Sequence, residues 1–395
     1  MKSSGQPRKQ LYSANEWDPL KAVLVGTTTG YLSPLSLPEA STFSDALLAQ
    51  QLAKQAFPKS YLEEVEEDLA GFRLALETLG IDTYSAATGI PDRPKPYCTP
   101  YFTACGNDTF NIRDRHLIVG NRLITSPATK RGRFFEGHSV ADFLYKEYFD
   151  SGFSWINAPT PRLRGKILFD VDKPLTTRER EEDFRQKELG NKVPEKFRML
   201  TEDEILFDAA NICRLGSDIL YLISCSGNEK GAKWLQSALG GDHRVHLTDT
   251  YRSSHLDSTI IPIREGLVLL NALRVGPENC PKVLDGWEKI YFSEVEPVPR
   301  SEIDFHEEYR IPVGRRLSRM GIENQLECMT SPWIGLNLLV IRPGLVMVTN
   351  PQPRLCKELL RYGVDTIEIG MRHAYTMLGG LHCCTLDLER SYVGI

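Results

Sequence analysis

Two short stretches, Ile263-Arg264-Glu265-Gly266-Leu267-Val268 and Ile341-Arg342-Pro343-Gly344-Leu345-Val346, share the pattern I-R-x-G-L-V, and this repetition restricts the fold more than any other feature. Each reads as two apolar strands joined by a glycine-centred turn. A second echo lies elsewhere. Residues 61–80 carry Leu62, Val65, Leu69, Phe72, Leu76 and Leu79 three or four apart, which predicts a helix with one apolar face. Gly80 suits the helix C-terminus, and Ile81-Asp82-Thr83-Tyr84 then alternates as a short strand. Near the other end of the chain, Leu359-Leu360-Arg361-Tyr362 runs into Gly363-Val364-Asp365-Thr366 in the same manner.

Strand pairs also surround Asn121 in HLIVGNRLITS, and SDILYLISC is followed by a helical stretch at 228–239 and the strand-like Arg244-Val245-His246-Leu247. A β-β-α-β module of this size cannot bury a core alone. The economical arrangement is an α/β ring or propeller of modules around a central site. Pro-rich or charged stretches at 31–59, 86–105, 160–203 and 292–330 read as long loops, where binding residues are often carried.

Composition removes several classes of function. Charged residues are 25% and hydrophobic residues 41% of the 395, which suits a compact globular chain. A net charge of -5 without a dense Lys/Arg stripe argues against nucleic acid as a partner. No stretch reaches the roughly 20 apolar residues that a membrane span needs. The N-terminus lacks the apolar core of a signal peptide, so a cytoplasmic location is expected. The nine cysteines are odd in number and no C-x-x-C spacing occurs, which predicts reduced thiols and no metal site.

Chemistry is suggested by Gly379-Gly380-Leu381-His382-Cys383-Cys384-Thr385, where paired glycines bring two thiols beside a histidine. A thiol becomes a useful nucleophile when nearby positive charge lowers its pKa, and a bound guanidinium or an imidazolium could supply it. His255 is a candidate acid and base, with Asp257 on the same face if the segment is extended. Asp208 stands among apolar and small residues and needs a donor or cation if buried. Asp114 precedes an apolar run that could place it at a strand mouth. Taken singly, each has a plainer reading: a buried thiol, a structural histidine, a solvated turn. Taken together, carboxylates converging with Cys and His suit the planar fork of a guanidinium substrate.

The residues resemble the amidinotransferase family over nearly the whole chain from about residue 14. The resemblance is carried, in order, by Asn15-Glu16-Trp17-Asp18-Pro19-Leu20, Arg131-Gly132-Arg133-Phe134-Phe135-Glu136, Phe207-Asp208-Ala209-Ala210, His255-Leu256-Asp257 and GGLHCCTLD at 379–387. It implies a five-module ββαβ propeller with a central active-site channel, formed by a single domain over 14–395 after a flexible N-terminus at 1–13. It also implies Cys383 as nucleophile, His255 as acid and base and Asp208 as the carboxylate that orients it, with Cys384 a bystander. Asp114 and Asp257 would hold the guanidinium. Arg274 and Ser331 would hold the donor's carboxylate end, and Ser254, small beside His255, would leave room for an acceptor larger than glycine.

The implied reaction moves the amidino group of L-arginine to a small amine, releasing L-ornithine without a cofactor. Lysine, glycine, an aminocyclitol phosphate or a natural-product amine are all candidate acceptors, and specialised metabolism is the expected setting. The stretch from Asp208 to Thr259 is most similar to the inosamine-phosphate branch. Glu389 stands where the family commonly has Arg, and the 292–330 loop is longer than in the aminocyclitol enzymes. The rival reading is a hydrolase, such as an arginine or agmatine deiminase, in which water replaces the amine. A homodimer is compatible with either.

Overall fold

The computed structural model describes residues 9–39, 41–87, 95–163, 169–180, 196–328 and 331–391. Five three-stranded sheets recur with one wiring, an antiparallel pair followed by a parallel third strand. In the sheet Leu339–Arg342, Leu345–Thr349 and Asp365–Ile369, the helix Pro353–Arg361 makes the crossover. Ile212–Leu215, Asp218–Leu222 and Arg244–Thr248 use the helix Glu229–Leu239. His116–Val119, Arg122–Thr125 and Ser154–Asn157 use Ala141–Tyr148. The predicted hairpins at 263–268 and 341–346 are both present, turning on Gly266 and Gly344 at φ 76° and 84°, a region that favours glycine.

The strands Ile260–Arg264, Leu267–Asn271 and Glu288–Phe292 depart from the expected module. A short 3-10 helix, Lys282–Leu284, stands where the others carry an α-helix. The remaining sheet joins the two ends of the chain. Thr385–Arg390 pairs antiparallel with Leu20–Val25, setting Leu386 opposite Leu24, and Asp82–Ser85 adds in parallel after the helix Lys59–Thr78. The last strand is thereby fixed to the first module.

Helix Lys59–Thr78 buries Tyr61, Val65, Leu69, Phe72 and Leu76. Leu79, expected in this stripe, is the C-cap and is 41% exposed, because the chain leaves the helical path there; Leu62 is half-buried. The stretches read as loops are more ordered than their composition suggests. Glu323–Asn324, Leu32–Ser36, Thr103–Asn107 and Tyr97–Cys98 form a four-stranded sheet in that order, drawn from three of the four stretches. Leu32, Leu35, Ala104 and Cys105 are buried there, so their backbone groups need ladder partners, and local composition does not reveal this. Phe43–Ala53, Arg300–Phe305 and Ile311–Arg319 are helices within the same stretches. In the fourth stretch Phe169–Pro174 pairs with Lys196–Leu200, while 164–168 and 181–195 lie outside the described residues. No described helix is long and apolar enough to cross a membrane.

Candidate active site

Cys383 lies in the turn that leads into the C-terminal strand, and the two glycines before it are demanded by packing. A Cβ on Gly379 would lie 2.0 Å from Asn111 Oδ1, and one on Gly380 would lie 2.6 Å from Thr349 Oγ1. The turn is fastened by Asn337, whose Oδ1 accepts from the Gly380 N–H at 3.1 Å and the Cys383 N–H at 2.9 Å. Its thiol is buried and donates to Asp257 Oδ2 at 3.0 Å; the same oxygen lies 3.1 Å from His382 Nδ1. Cys384 is fully buried with its sulfur toward Leu381 O, and burial pushes its thiol up to about 12.

His255 and Asp257 occupy an irregular turn, not the extended segment the spacing suggested. They still address one site because Leu256 between them turns into the core, with its N–H on Ala210 O at 3.0 Å. His255 Nε2 is 3.1 Å from Asp208 Oδ2, and its Nδ1 is 3.5 Å from Asp114 Oδ1. Asp208 accepts from Thr129 through both the backbone N–H and the hydroxyl. Asp114 ends a 3-10 turn just before the strand His116–Val119, at the strand mouth, and is paired with Arg133. Arg133 also binds Glu136 at 2.6 Å, which gives the R-G-R-F-F-E motif a local purpose.

These carboxylates set the electrostatics. Burial opposes charge on His255, yet Asp114 and Asp208 outweigh it and raise its pKa to about 8. Burial works against ionised Asp257 and Asp208 as well, but hydrogen bonds from His382 and His255 respectively hold both well below the usual carboxylate range. For Cys383 burial and the negative charges of Asp257 and Asp114 act together, so its thiol is raised well above its ordinary value. The site without substrate therefore keeps a neutral thiol.

Of the residues expected at the site, Asp114 and Asp208 are joined to His255 and Asp257 to Cys383 by these contacts, and the two sets are close enough for Asp257 to act on His255 and Asp114 on Cys383 through charge. Arg274 is buried beside Thr259, which its Nη1 meets at 2.9 Å, with its guanidinium carbon 3.7 Å from the centre of the Tyr251 ring. Ser331 caps the 3-10 turn Pro332–Leu336, accepting from the Trp333 N–H, and Trp333 also faces Arg274 at 5.9 Å. Ser254 is exposed beside His255. Asn337 and Thr129 carried no motif of their own and were missed; each is recognisable only once a distant partner is beside it.

A chain with this site has clear relatives. No protein-family model matches it. It is 36% identical over 381 residues, 95% of this chain and 96% of the other, to inosamine-phosphate amidinotransferase 1 of Streptomyces glaucescens. The chain belongs to the amidinotransferase family. The L-arginine:L-lysine amidinotransferase of Pseudomonas savastanoi pv. phaseolicola is 29% identical, with 96% and 94% of the two chains covered. Among solved structures, inosamine-phosphate amidinotransferase of Streptomyces griseus superposes with a TM-score of 0.73 at 34% identity, covering 97% of this chain and 98% of that one. Dimethylarginine dimethylaminohydrolase of Pseudomonas aeruginosa, at 13% identity and a TM-score of 0.51 over 93% and 99% of the two chains, shares the fold alone.

Two motifs of this amidinotransferase serve a buried ion network behind Cys383. Glu16 binds Arg214 through both oxygens at 2.8 and 2.6 Å. Asp387 binds Arg113 at 2.7 Å, Arg214 at 2.6 Å and Arg390 at 2.8 Å. Arg113 in turn holds the carbonyl of His382 at 2.8 Å. The N-terminal motif and the end of the C-terminal one thus brace the Cys383 turn from below.

Proposed function

We propose that the chain transfers the amidino group of L-arginine to a primary amine through a covalent amidino adduct on Cys383, releasing L-ornithine. The observation that carries this is a charge imbalance. Asp114, Asp208 and Asp257 surround the thiol and His255, and Arg133 alone among described lysines and arginines is ion-paired with any of them. A guanidinium placed between Asp114 and Asp257 would supply the missing cation and reverse the sign of the field at sulfur, so that the thiol loses its proton to solvent as substrate binds while His255 stays protonated.

The thiolate then attacks the guanidinium carbon. As the bond from that carbon to the ornithine nitrogen breaks, protonated His255 gives its proton to the departing amine, and Asp208 keeps the ring oriented. Neutral His255 next takes a proton from the entering amine, a new carbon–nitrogen bond forms, and the carbon–sulfur bond breaks to restore the thiolate. Asp114 and Asp257 hold the delocalised charge throughout. Arg274 is assigned to the donor's carboxylate, with Ser331 at the same end and Ser254 on the acceptor side. The five like-wired sheets support a five-module propeller over 14–395, with this cluster in its central channel.

Relatives named for inosamine phosphate and for lysine leave the acceptor open between an aminocyclitol phosphate, an amino acid and a specialised amine. The test is incubation of the purified protein with L-arginine and a panel of amines, following ornithine and product mass together. Acceptor-dependent ornithine with a guanidino product is expected. Citrulline or urea formed without an acceptor would overturn the transferase reading in favour of hydrolysis.

A further inference from the structure

A second cavity, of about 440 Å³, lies beside the candidate active site and has no part in the reaction proposed above. Its volume falls within the roughly 300–1,000 Å³ typical of small-molecule pockets. Arg115 reaches its wall although only 4% of the residue is exposed. Nη1 donates to Ser126 Oγ at 2.9 Å, but buried Nε has no hydrogen-bond partner. Arg133 next door is paired with both Asp114 and Glu136, whereas no described carboxylate forms an ion pair with Arg115. The oxygens of Glu136 are already engaged, by Arg133 Nε and the Asp108 N–H. A buried guanidinium in this condition is costly unless something anionic meets it.

The surroundings are shaped to admit such a group. Gly137 lines the cavity, and a Cβ there would stand 3.2 Å from Arg115 Nη2 and 2.7 Å from Thr125 Cγ2, so any side chain would crowd the approach. His138 and Asn157 add polar edges, and the helix Ala141–Tyr148 begins at the rim. Phe134, Tyr145 and Trp155 supply flat apolar walls.

From these features we infer that the Arg115 cavity is a binding site for a small organic anion, a carboxylate or phosphate head on a flat apolar body. The head meets Arg115 and the body lies against the aromatic walls. Ser126 Oγ, which receives Arg115, also donates to the backbone carbonyl of Asp114 at 3.1 Å, so the site is one hydroxyl away from the main chain of a residue of the reaction centre. The inference stands on the cavity and does not depend on the catalytic reading.

Calorimetric titration of the full chain with phenyl phosphate, benzoate and uncharged benzyl alcohol tests it. Saturable one-to-one binding of at least one anion is expected, without binding of the alcohol, and the tighter of the two identifies the head group. Affinity should fall about tenfold or more in Arg115→Gln, through loss of charge-assisted hydrogen bonds. Ala141→Phe, which plugs the rim and leaves Arg115 untouched, should weaken binding to a similar extent, and it decides the matter if Arg115→Gln fails to fold. Arg274→Gln should leave binding unchanged. The inference is overturned by absence of saturable binding, by equal affinity for the alcohol, or by loss in Arg274→Gln with retention in Ala141→Phe.

Discussion

The molecule buries two clusters of acids side by side, and they are neutralised in opposite ways. Around Asp387 and Glu16 three arginines, Arg113, Arg214 and Arg390, meet two carboxylates at hydrogen-bonding distance. Around Cys383 three carboxylates meet two histidines and a single arginine already shared with Glu136. The first cluster is complete and serves as scaffold. The second is short of positive charge, and in the proposed reaction the guanidinium of the substrate completes it. His382 lies between them, 3.1 Å from Asp257 on one side and 3.6 Å from Glu16 on the other, so the scaffold reaches the site through this side chain as well as through Arg113.

Substitutions should separate the two. The largest effect is expected for Cys383→Ser, which should release no measurable ornithine from L-arginine while folding normally; residual turnover near that of the parent would remove Cys383 from the mechanism. Arg214→Met leaves Glu16 and Asp387 short of a buried partner, and chemical denaturation should show a loss of about 3–5 kcal/mol. A loss within experimental scatter would mean that the network is not the scaffold described.

Asp257→Asn should do the reverse. Turnover should fall at least about tenfold through lost transition-state positioning. Stability without substrate should fall by less than in Arg214→Met, since Asp257 is held by hydrogen bonds from His382 and Cys383 and not by an arginine ion pair. If stability fell as far as in Arg214→Met, the contrast between the clusters would collapse.

The pH dependence of stability sharpens the same comparison. The folded pKa of His255, about 8, lies above its ordinary 6.5, so its contribution is fully present below 6.5 and is lost as pH rises through 8. Denaturation midpoints should decline over that window in the parent and decline less in His255→Gln. Parallel curves would show that the imidazolium is not held by Asp114 and Asp208. The smallest effect is expected for Cys384→Ser, which should retain most of the activity in the ornithine assay.

Much of this was legible in the chain. The hairpins at 263–268 and 341–346 depend on glycines at positive φ and on the short apolar runs that flank them, and such signals are local. The motifs pointed to Asp208, His255, Asp257 and Cys383, and the apolar run after Asp114 pointed to that residue; the fold sets all five near one another. Other features were not legible because their cause lies far off in sequence. Leu32–Ser36 is a strand because Thr103–Asn107 and Glu323–Asn324 flank it, and Asn337 holds the Cys383 turn across 46 residues. Arg115 looks like any surface arginine until Gly137 and Ser126 are beside it.

By itself the sequence determined the repeating module, its turns and the kinds of side chain available for chemistry, since periodicity and glycine placement act over a few residues. Only the tertiary structure decided which acids are matched by arginine and which are left waiting for a cation. Those pairings join residues as far apart as Glu16 and Arg214, or Arg113 and Asp387, and burial strengthens each charge's dependence on whichever partner the fold happens to bring within reach.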